Sequence, residues 1–279
     1  MNGWNDGIAN AIAYMEEHLT EPLNMEQIAA KAYVSSFYFQ KIFHALCGLT
    51  VGEYLKNRRL TLAAQEICST DRRILDIALK YGYDSPDGFT RAFTKFHGIS
   101  PSAARKKGCT LRSFAPLKIK LTLEGGNMLE YQIVEKAAFT VMGICRHFEM
   151  ETAYKEIPQF WEEYMQAGDD RAICGMYGIS MSVEGNGFDY LIADNYIPWK
   201  NIPEGCKTEV IPAGTWAVFP CRGELPEALQ SVNTKIWSEW LPSCKNYKLA
   251  GNYSIEMYTA PTEGTKVTYS EIWVPVEKV

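Results

Sequence analysis

The 279 residues contain no run approaching the roughly 18 apolar positions of a membrane-spanning helix, and the start, Met1-Asn2-Gly3-Trp4, lacks the basic and apolar stretches of a secretory signal. A cytoplasmic chain with no membrane partner is expected. Histidine is scarce, with four residues in all, and His147 is the only one after His97. A nucleophile, histidine and aspartate triad therefore lacks its parts in the second half of the chain. The eight cysteines never fall as C-x-x-C and sit mostly among apolar residues, which argues against both a zinc site and a disulfide framework. Reduced, mostly buried thiols are the expectation. No metal ligands, cofactor or catalytic residue is assigned.

Net charge is also low, −5, and on its face unsuited to a polyanion. The average conceals a split: residues 1–108 carry +2, residues 109–126 carry +2 and residues 127–279 carry −9. Within the first stretch, Lys56 to Lys107 holds 11 basic and 5 acidic residues, a local +6 that could serve as a footprint for nucleic acid. With 47% hydrophobic and 22% charged residues the composition is globular, and the length suggests two domains.

The first hundred residues read as helices. Ile8, Ile12, Met15 and Leu19 recur at helical spacing, Asn24 with Gln27 suggests a capping box, and Ser35 can cap a helix through Phe39, Ile42, Phe43 and Leu46 that Gly48 stops. A longer helix follows through Tyr54, Leu55, Leu62, Ala63 and Ile67. The pattern then returns. Ser35, Phe39, Phe43 and Gly48 map onto Ser85, Phe89, Phe93 and Gly98 at an offset of 50, and Ile28-Ala29 onto Ile77-Ala78 at 49. Two helix-turn-helix units, about 24–47 and 74–97, joined by one long helix are expected.

After Lys107 the texture becomes β-branched and aromatic. Leu117 to Leu123 alternates, Glu124-Gly125-Gly126-Asn127 breaks the run, and a linker over 109–127 is expected between domains at 1–108 and 128–279. A second repeat then appears at offset 76: Cys145-Arg146 with Cys221-Arg222, Trp161 with Trp237, Glu163 with Glu239, and Gly175, Tyr177 and Ile179 with Gly251, Tyr253 and Ile255. Each copy reads β-α-β-β, with helices near 153–165 and 226–240 and closing strands at 188–194 and 267–274. The fold class is thus multidomain α and α+β, an all-α double helix-turn-helix followed by a duplicated β-α-β-β domain whose junction forms a cleft.

On the first reading helix the apolar positions face the core, which leaves Ser36, Phe37, Gln40, Lys41 and His44 outward. Gln40 can pair with adenine, Lys41 can reach guanine or phosphate, and Phe37 can pack on a thymine methyl. The second reading helix offers Thr90, Arg91, Thr94 and Lys95, but Asp87 repels phosphate, so this copy anchors more than it specifies. Adjacent major grooves, about 34 Å apart on one face of the duplex, are the expected target.

The residues Ile28-Ala29, Ser35 to Phe43, Gly48, Tyr54-Leu55, Arg58-Arg59-Leu60, Ile74 to Ala78, Gly82-Tyr83, Phe89 to Phe93 and Gly98-Ile99-Ser100-Pro101 resemble the DNA-binding domain of AraC/XylS-type transcription regulators over about residues 5–108. Ala104-Arg105 stands where that family usually has Tyr-Arg, and Tyr83 where it often has Phe. The resemblance implies a one-component regulator, an activator, with promoter DNA and RNA polymerase as partners.

In the acidic half, alternation places Tyr269, Glu271 and Trp273 on one face of a strand. A carboxylate flanked by aromatic rings attracts an organic cation; pairing of Glu271 with Arg146 or Arg222 is the competing reading. Tyr177, Tyr190, Trp216 and Tyr253 are the further candidate ligand residues, drawn from an aromatic set that includes Trp161, Trp199, Trp237, Trp240 and Tyr258. Ile211-Pro212-Ala213-Gly214 before Trp216 to Phe219, Asp189-Tyr190 and the terminal Glu271 to Val276 make residues 128–279 similar to GyrI-like effector-binding domains. That resemblance implies a cleft for hydrophobic, often cationic small molecules, with an acidic residue of the closing strand matching Glu271. A glutamate-dependent hydrolase of a reactive aromatic compound, with Glu271 activating water, and a protein-binding module are the alternatives.

Overall fold

The computed structural model describes residues 4–106, 108–118, 128–167, 172–183, 187–198, 201–259 and 268–279. Trp199 and most of the alternating run 117–123 with its glycine break lie outside them. The chain divides into two compact units, one holding most of residues 1–123 and the other residues 124–279.

The first unit is helical throughout: α1 (Trp4–Glu17), α2 (Met25–Lys31), α3 (Ser36–Cys47), α4 (Val51–Ser69), α5 (Ile74–Lys80), α6 (Pro86–His97) and the short α7 (Pro101–Ala104). The apolar spacing in α1 does bury one face, since Ile8, Ile12, Met15 and the following Leu19 are all buried. Asn24 caps α2 by accepting from the backbone N–H groups of Glu26 and Gln27. The expected return bond from Gln27 is replaced, because its side chain accepts from the Tyr14 hydroxyl. The reciprocal capping box lies instead at α4, between Thr50 and Glu53. Helices α5 and α6 pack on α4 around Ile67, Ile77, Phe89 and Phe93. Ser85 caps α6, and Gly98 ends it in the left-handed conformation.

The two helix-turn-helix turns solve one backbone problem differently. Gly82 (φ +81°) supplies the left-handed residue of the second turn, and Tyr33 (φ +59°), 72% exposed, that of the first. A further difference from expectation concerns the linker. The Phe114 backbone N–H donates to Thr61 Oγ1 and its carbonyl accepts from Arg58, while the Leu117 N–H donates to the Tyr54 hydroxyl. Phe114 and Leu117 are therefore pinned along α4, so this part of the expected linker belongs to the helical unit.

The second unit is a nine-stranded antiparallel sheet: β1 (Gln132–Lys136), β2 (Phe139–Glu149), β3 (Tyr177–Ser182), β4 (Gly187–Asn195), β5 (Lys207–Ile211), β6 (Gly214–Gly223), β7 (Tyr247–Leu249), β8 (Tyr253–Tyr258) and β9 (Thr268–Lys278). Helix α8 (Ala153–Gln166) follows β2. Helix α9 (Glu227–Lys235) follows β6 and continues through a π-helical turn, Ile236–Trp240, into α10 (Leu241–Ser243). Spatial order is β1-β6-β9-β8-β3-β4-β2-β5, with β7 on β9.

Two properties follow from that order. Ile179 of β3 faces Ile255 of β8, its own counterpart 76 residues on, so the pseudo-twofold axis passes through this pair. Each copy also opens with a strand that the sequence reading did not separate, and that strand crosses over: β1 pairs with β6 of the second copy and β5 with β2 of the first. Only Ala137 and Ala138 connect β1 to β2, a reach of at most about 11 Å. A flat sheet would hold those strands, six positions apart, about 29 Å from each other. The sheet must curl until its ends meet. Ring contacts confirm it, with Phe139 of β2 lying 6.3 Å from Trp273 of β9 across the interior. That interior is filled by Val141, Ile179, Leu191, Trp216, Ile255 and Trp273 among others, and by alternation the opposite face of each strand turns toward the helices.

Candidate functional site

Thr90, Arg91, Thr94 and Lys95 occupy the exposed face of α6, opposite the buried Phe89, Phe93 and His97. Neither Arg91 nor Lys95 forms an ion pair among the described residues, so both charges stand available to a polyanion. On α3, Ser36, Gln40, Lys41 and His44 are half-buried. Phe37 departs from its expected outward position: it is 3% exposed, edge-on to Tyr38 at 5.3 Å. Removing so large a ring from water is favourable, and a ring so buried does not present the face expected to pack on a thymine methyl.

Several charges counted in the basic stretch have structural work instead. Arg58, 7% exposed, grips Glu16 of α1 with Nε and Nη2, and the Tyr54 hydroxyl donates to the same carboxylate at 2.6 Å. Burial pushes the Glu16 carboxyl up, but the hydrogen bonds from Arg58 and Tyr54 outweigh it and hold the group below its ordinary value. Arg59 donates to the carbonyls of Leu19 and Glu21. Arg72 and Lys80 share Glu66, and Arg73 pairs with Asp76.

In the sheet unit, Tyr269, Glu271 and Trp273 do share a face and are bonded to one another. Glu271 accepts from the Tyr269 hydroxyl on one oxygen and from Trp273 Nε1 on the other, both at 2.6 Å. That bond to Glu271, with burial, pushes the Tyr269 phenol up to about 12. Neither candidate arginine pairs with Glu271, since Arg146 bridges to Glu163 and Arg222 to Glu130. Tyr177 and Trp216 lie on the same inner face near Trp273, at 5.9 and 6.3 Å between ring centroids, and Tyr253 packs against the same core.

Tyr190 does not join them. Its register neighbour Leu191 points inward, so alternation turns Tyr190 to the helix side of the sheet. There it belongs to a second constellation that the sequence reading missed. Trp161 of α8 donates through Nε1 to the Tyr190 hydroxyl at 2.9 Å, and the Tyr258 and Tyr190 hydroxyls both donate to Oε2 of Glu256, at 2.7 and 3.4 Å. The Trp161 and Tyr258 rings meet edge-on at 5.3 Å. Burial, then the neighbouring Glu256, raises both phenols well above their ordinary value, so they stay neutral donors. Glu256, Tyr258 and Trp161 are half-buried rather than sealed.

Gly178 makes this arrangement possible. It faces Glu256 in register, and a Cβ there would fall 2.1 Å from the Tyr190 hydroxyl. The pseudo-twofold exposes how the copies diverged at their junction: Gly178 and Ser180 in the first correspond to Ser254 and Glu256 in the second. Trp237, the counterpart of Trp161, is buried and donates to Asn233 of its own helix. The signal that could have located the site was this one asymmetric carboxylate inside the aromatic strand Tyr253–Tyr258.

All eight cysteines are free, and the described residues contain no cluster suited to a metal ion and no helix long and apolar enough to cross a membrane.

Residues 28–107 match a helix-turn-helix domain model, and residues 132–276, just over half the chain, match the model of the integron-associated effector binding protein Cass2. The chain is similar to the regulatory protein SoxS of Escherichia coli K12, with 39% identity over 100 residues that span 36% of this chain and 94% of that protein. It is also similar to the transcriptional regulator Rob of Salmonella typhimurium, with 30% identity over 166 residues covering 57% of this chain and 56% of Rob. Among solved structures, SAV2435 bound to tetraphenylphosphonium matches at a TM-score of 0.45 and 20% identity, over 53% of this chain and 94% of that one. These relatives in sequence are regulators. With its duplicated sheet unit behind a double helix-turn-helix, the chain belongs to the integron-associated effector binding family, as a transcription regulator that couples an AraC-type DNA-binding domain to a GyrI-like effector-binding domain.

Proposed function

We propose that the protein is a cytoplasmic one-component activator, not an enzyme, that senses a hydrophobic organic cation over Glu256 and contacts promoter DNA and RNA polymerase through its helical unit. The observation that carries the sensing half is a half-buried carboxylate held among Tyr190, Tyr258 and Trp161. Neutral phenols and an indole offer negative ring faces to a cation, and Glu256 supplies the opposite charge. Both oxygens of Glu271 are already engaged, which favours a brace over a water-activating base and moves the effector carboxylate from Glu271 to Glu256. On the DNA side, Thr90, Arg91, Thr94 and Lys95 serve as anchors, with Ser36, Gln40, Lys41 and His44 the specifying set of α3.

Calorimetric titration of the full chain with tetraphenylphosphonium tests the sensing half. Binding to the unmodified protein and its loss in Glu256→Gln, with Glu271→Gln retaining it, is the expected result. Loss in Glu271→Gln alone would restore the carboxylate first read from the sequence. Slow consumption of the bound compound would overturn the non-enzymatic reading.

A further inference from the structure

The end of α4 and the segment after α7 bring two thiols to one acceptor. Cys68, next to last in α4, donates its thiol hydrogen to the carbonyl of Ala104 at 3.2 Å, and Cys109 donates to the same oxygen at 3.0 Å. Two sulfurs on one oxygen cannot lie farther apart than those two lengths laid end to end. Both segments are fixed by the core of the helical unit. Ala104 and Ile67, the residue before Cys68, are fully buried in the cluster around Phe89 and Phe93, and Leu111, two residues past Cys109, packs on the same cluster. Gly108, in the left-handed conformation (φ +83°), turns the chain so that Cys109 comes back over the Ala104 carbonyl.

Cys68 is exposed and Cys109 half-buried, so an oxidant in solution reaches the first thiol and finds the second beside it. Burial, and then the neighbouring Cys109 through its charge and a hydrogen bond, push the Cys68 thiol up. The pair therefore rests as two thiols, and a thiolate forms only as a minor species.

We propose that Cys68 and Cys109 are a redox-modification site whose oxidant is a hydroperoxide and whose product is a disulfide between α4 and the segment after α7. The Cys68 thiolate attacks one peroxide oxygen, the O–O bond breaks, and a sulfenic acid and hydroxide result. The Cys109 sulfur then attacks the Cys68 sulfur, forming the S–S bond and breaking the S–O bond. The two hydroxides released take up the two thiol protons as two waters, and two electrons pass from the thiols to the peroxide. The bond closes a loop that contains all of α5, α6 and α7, and with them the second helix-turn-helix unit. Such a cross-link restricts the unfolded chain and stabilises what it encloses. Neither cysteine lies on the exposed face of α6 that carries Thr90, Arg91, Thr94 and Lys95, so the oxidised chain keeps its grip on DNA. The pair is a brace that oxidant applies to the DNA reader.

Hydrogen peroxide is the probe, added to the reduced full chain and followed by alkylation of the remaining thiols and peptide mass spectrometry. The expected product joins the Cys68 and Cys109 peptides, two hydrogens lighter than the reduced pair, and dithiothreitol reverses it. Oxidation should raise the melting temperature of the helical unit by at least about 5 °C. Affinity for a random-sequence duplex at low salt should stay within about twofold. Cys68→Ser and Cys109→Ser each keep a hydroxyl donor for the Ala104 carbonyl and should match the parent by circular dichroism, yet show neither the cross-link nor the rise in melting temperature. In Cys109→Ser the sulfenic acid on Cys68 should be trapped by dimedone. No cross-link under excess peroxide, cross-links to other cysteines in place of this pair, a melting rise that persists in either serine variant, or a larger loss of DNA affinity on oxidation would overturn the proposal.

Discussion

Tyr33 and Gly178 show opposite bargains between backbone and side chain. A bulky residue in the left-handed region is strained by about 1–2 kcal/mol, and the Tyr33 ring, 72% exposed, recovers little by burial. Tyr33→Gly should therefore raise the stability of the helical unit by about 1 kcal/mol, read as a shift of the urea midpoint at unchanged slope. At Gly178 the constraint is space. Gly178→Ala sets a methyl against the Tyr190 hydroxyl and should abolish effector binding over Glu256, read by calorimetric titration, while the thermal melt stays close to that of the parent. A large fall in melting temperature would instead indicate that the sheet itself had been disturbed.

Among the elements, α1 and α4 are joined by a pair that the linear charge count treats as solvent-exposed. Breaking the bond between Glu16 and the nearly buried Arg58 by Arg58→Ala should cost about 3 kcal/mol. Because the folded state holds the Glu16 carboxyl below its ordinary value, this stability is present above the unfolded carboxyl range and disappears as pH falls through the lower folded value. Acid melts of the parent should lose that increment below about pH 4.5, and Glu16→Gln should remove the pH-dependent part. Helical periodicity was enough to place α1 and α6, which each bury one stripe, but it did not show that the central α4 buries opposite sides, Arg58 on one and Ile67 on the other; the offset of 76 found both copies of the sheet. Strands β1 and β5 were not legible because five residues with mixed exposure carry too little alternation, and their partners are supplied by the other copy. Alternation likewise grouped Tyr269, Glu271 and Trp273 correctly. It could not compare faces between strands, and so it did not show that Tyr190 bonds to Glu256 on the other face of the sheet from Glu271.

At the scale of the whole molecule, the charge split becomes a division of labour between a basic reader and an acidic sensor. Ligand occupancy changes DNA engagement only if it favours one arrangement of the chain over another. DNA affinity of the full chain should fall steeply with salt, and Arg91→Ala with Lys95→Ala should reduce the salt slope by about two while weakening all sequences alike. A gel-shift series from low to physiological salt reads both. The crossing of β1 and β5 makes the two copies depend on each other. One copy alone lacks the partner of its opening strand, because β1 pairs with the second strand of the other copy and β5 with that of the first, so neither half carries its complete sheet. Separate chains of residues 128–198 and 201–279 should accordingly stay unstructured apart and recover the native circular dichroism spectrum when mixed, each lending the other the strand it lacks.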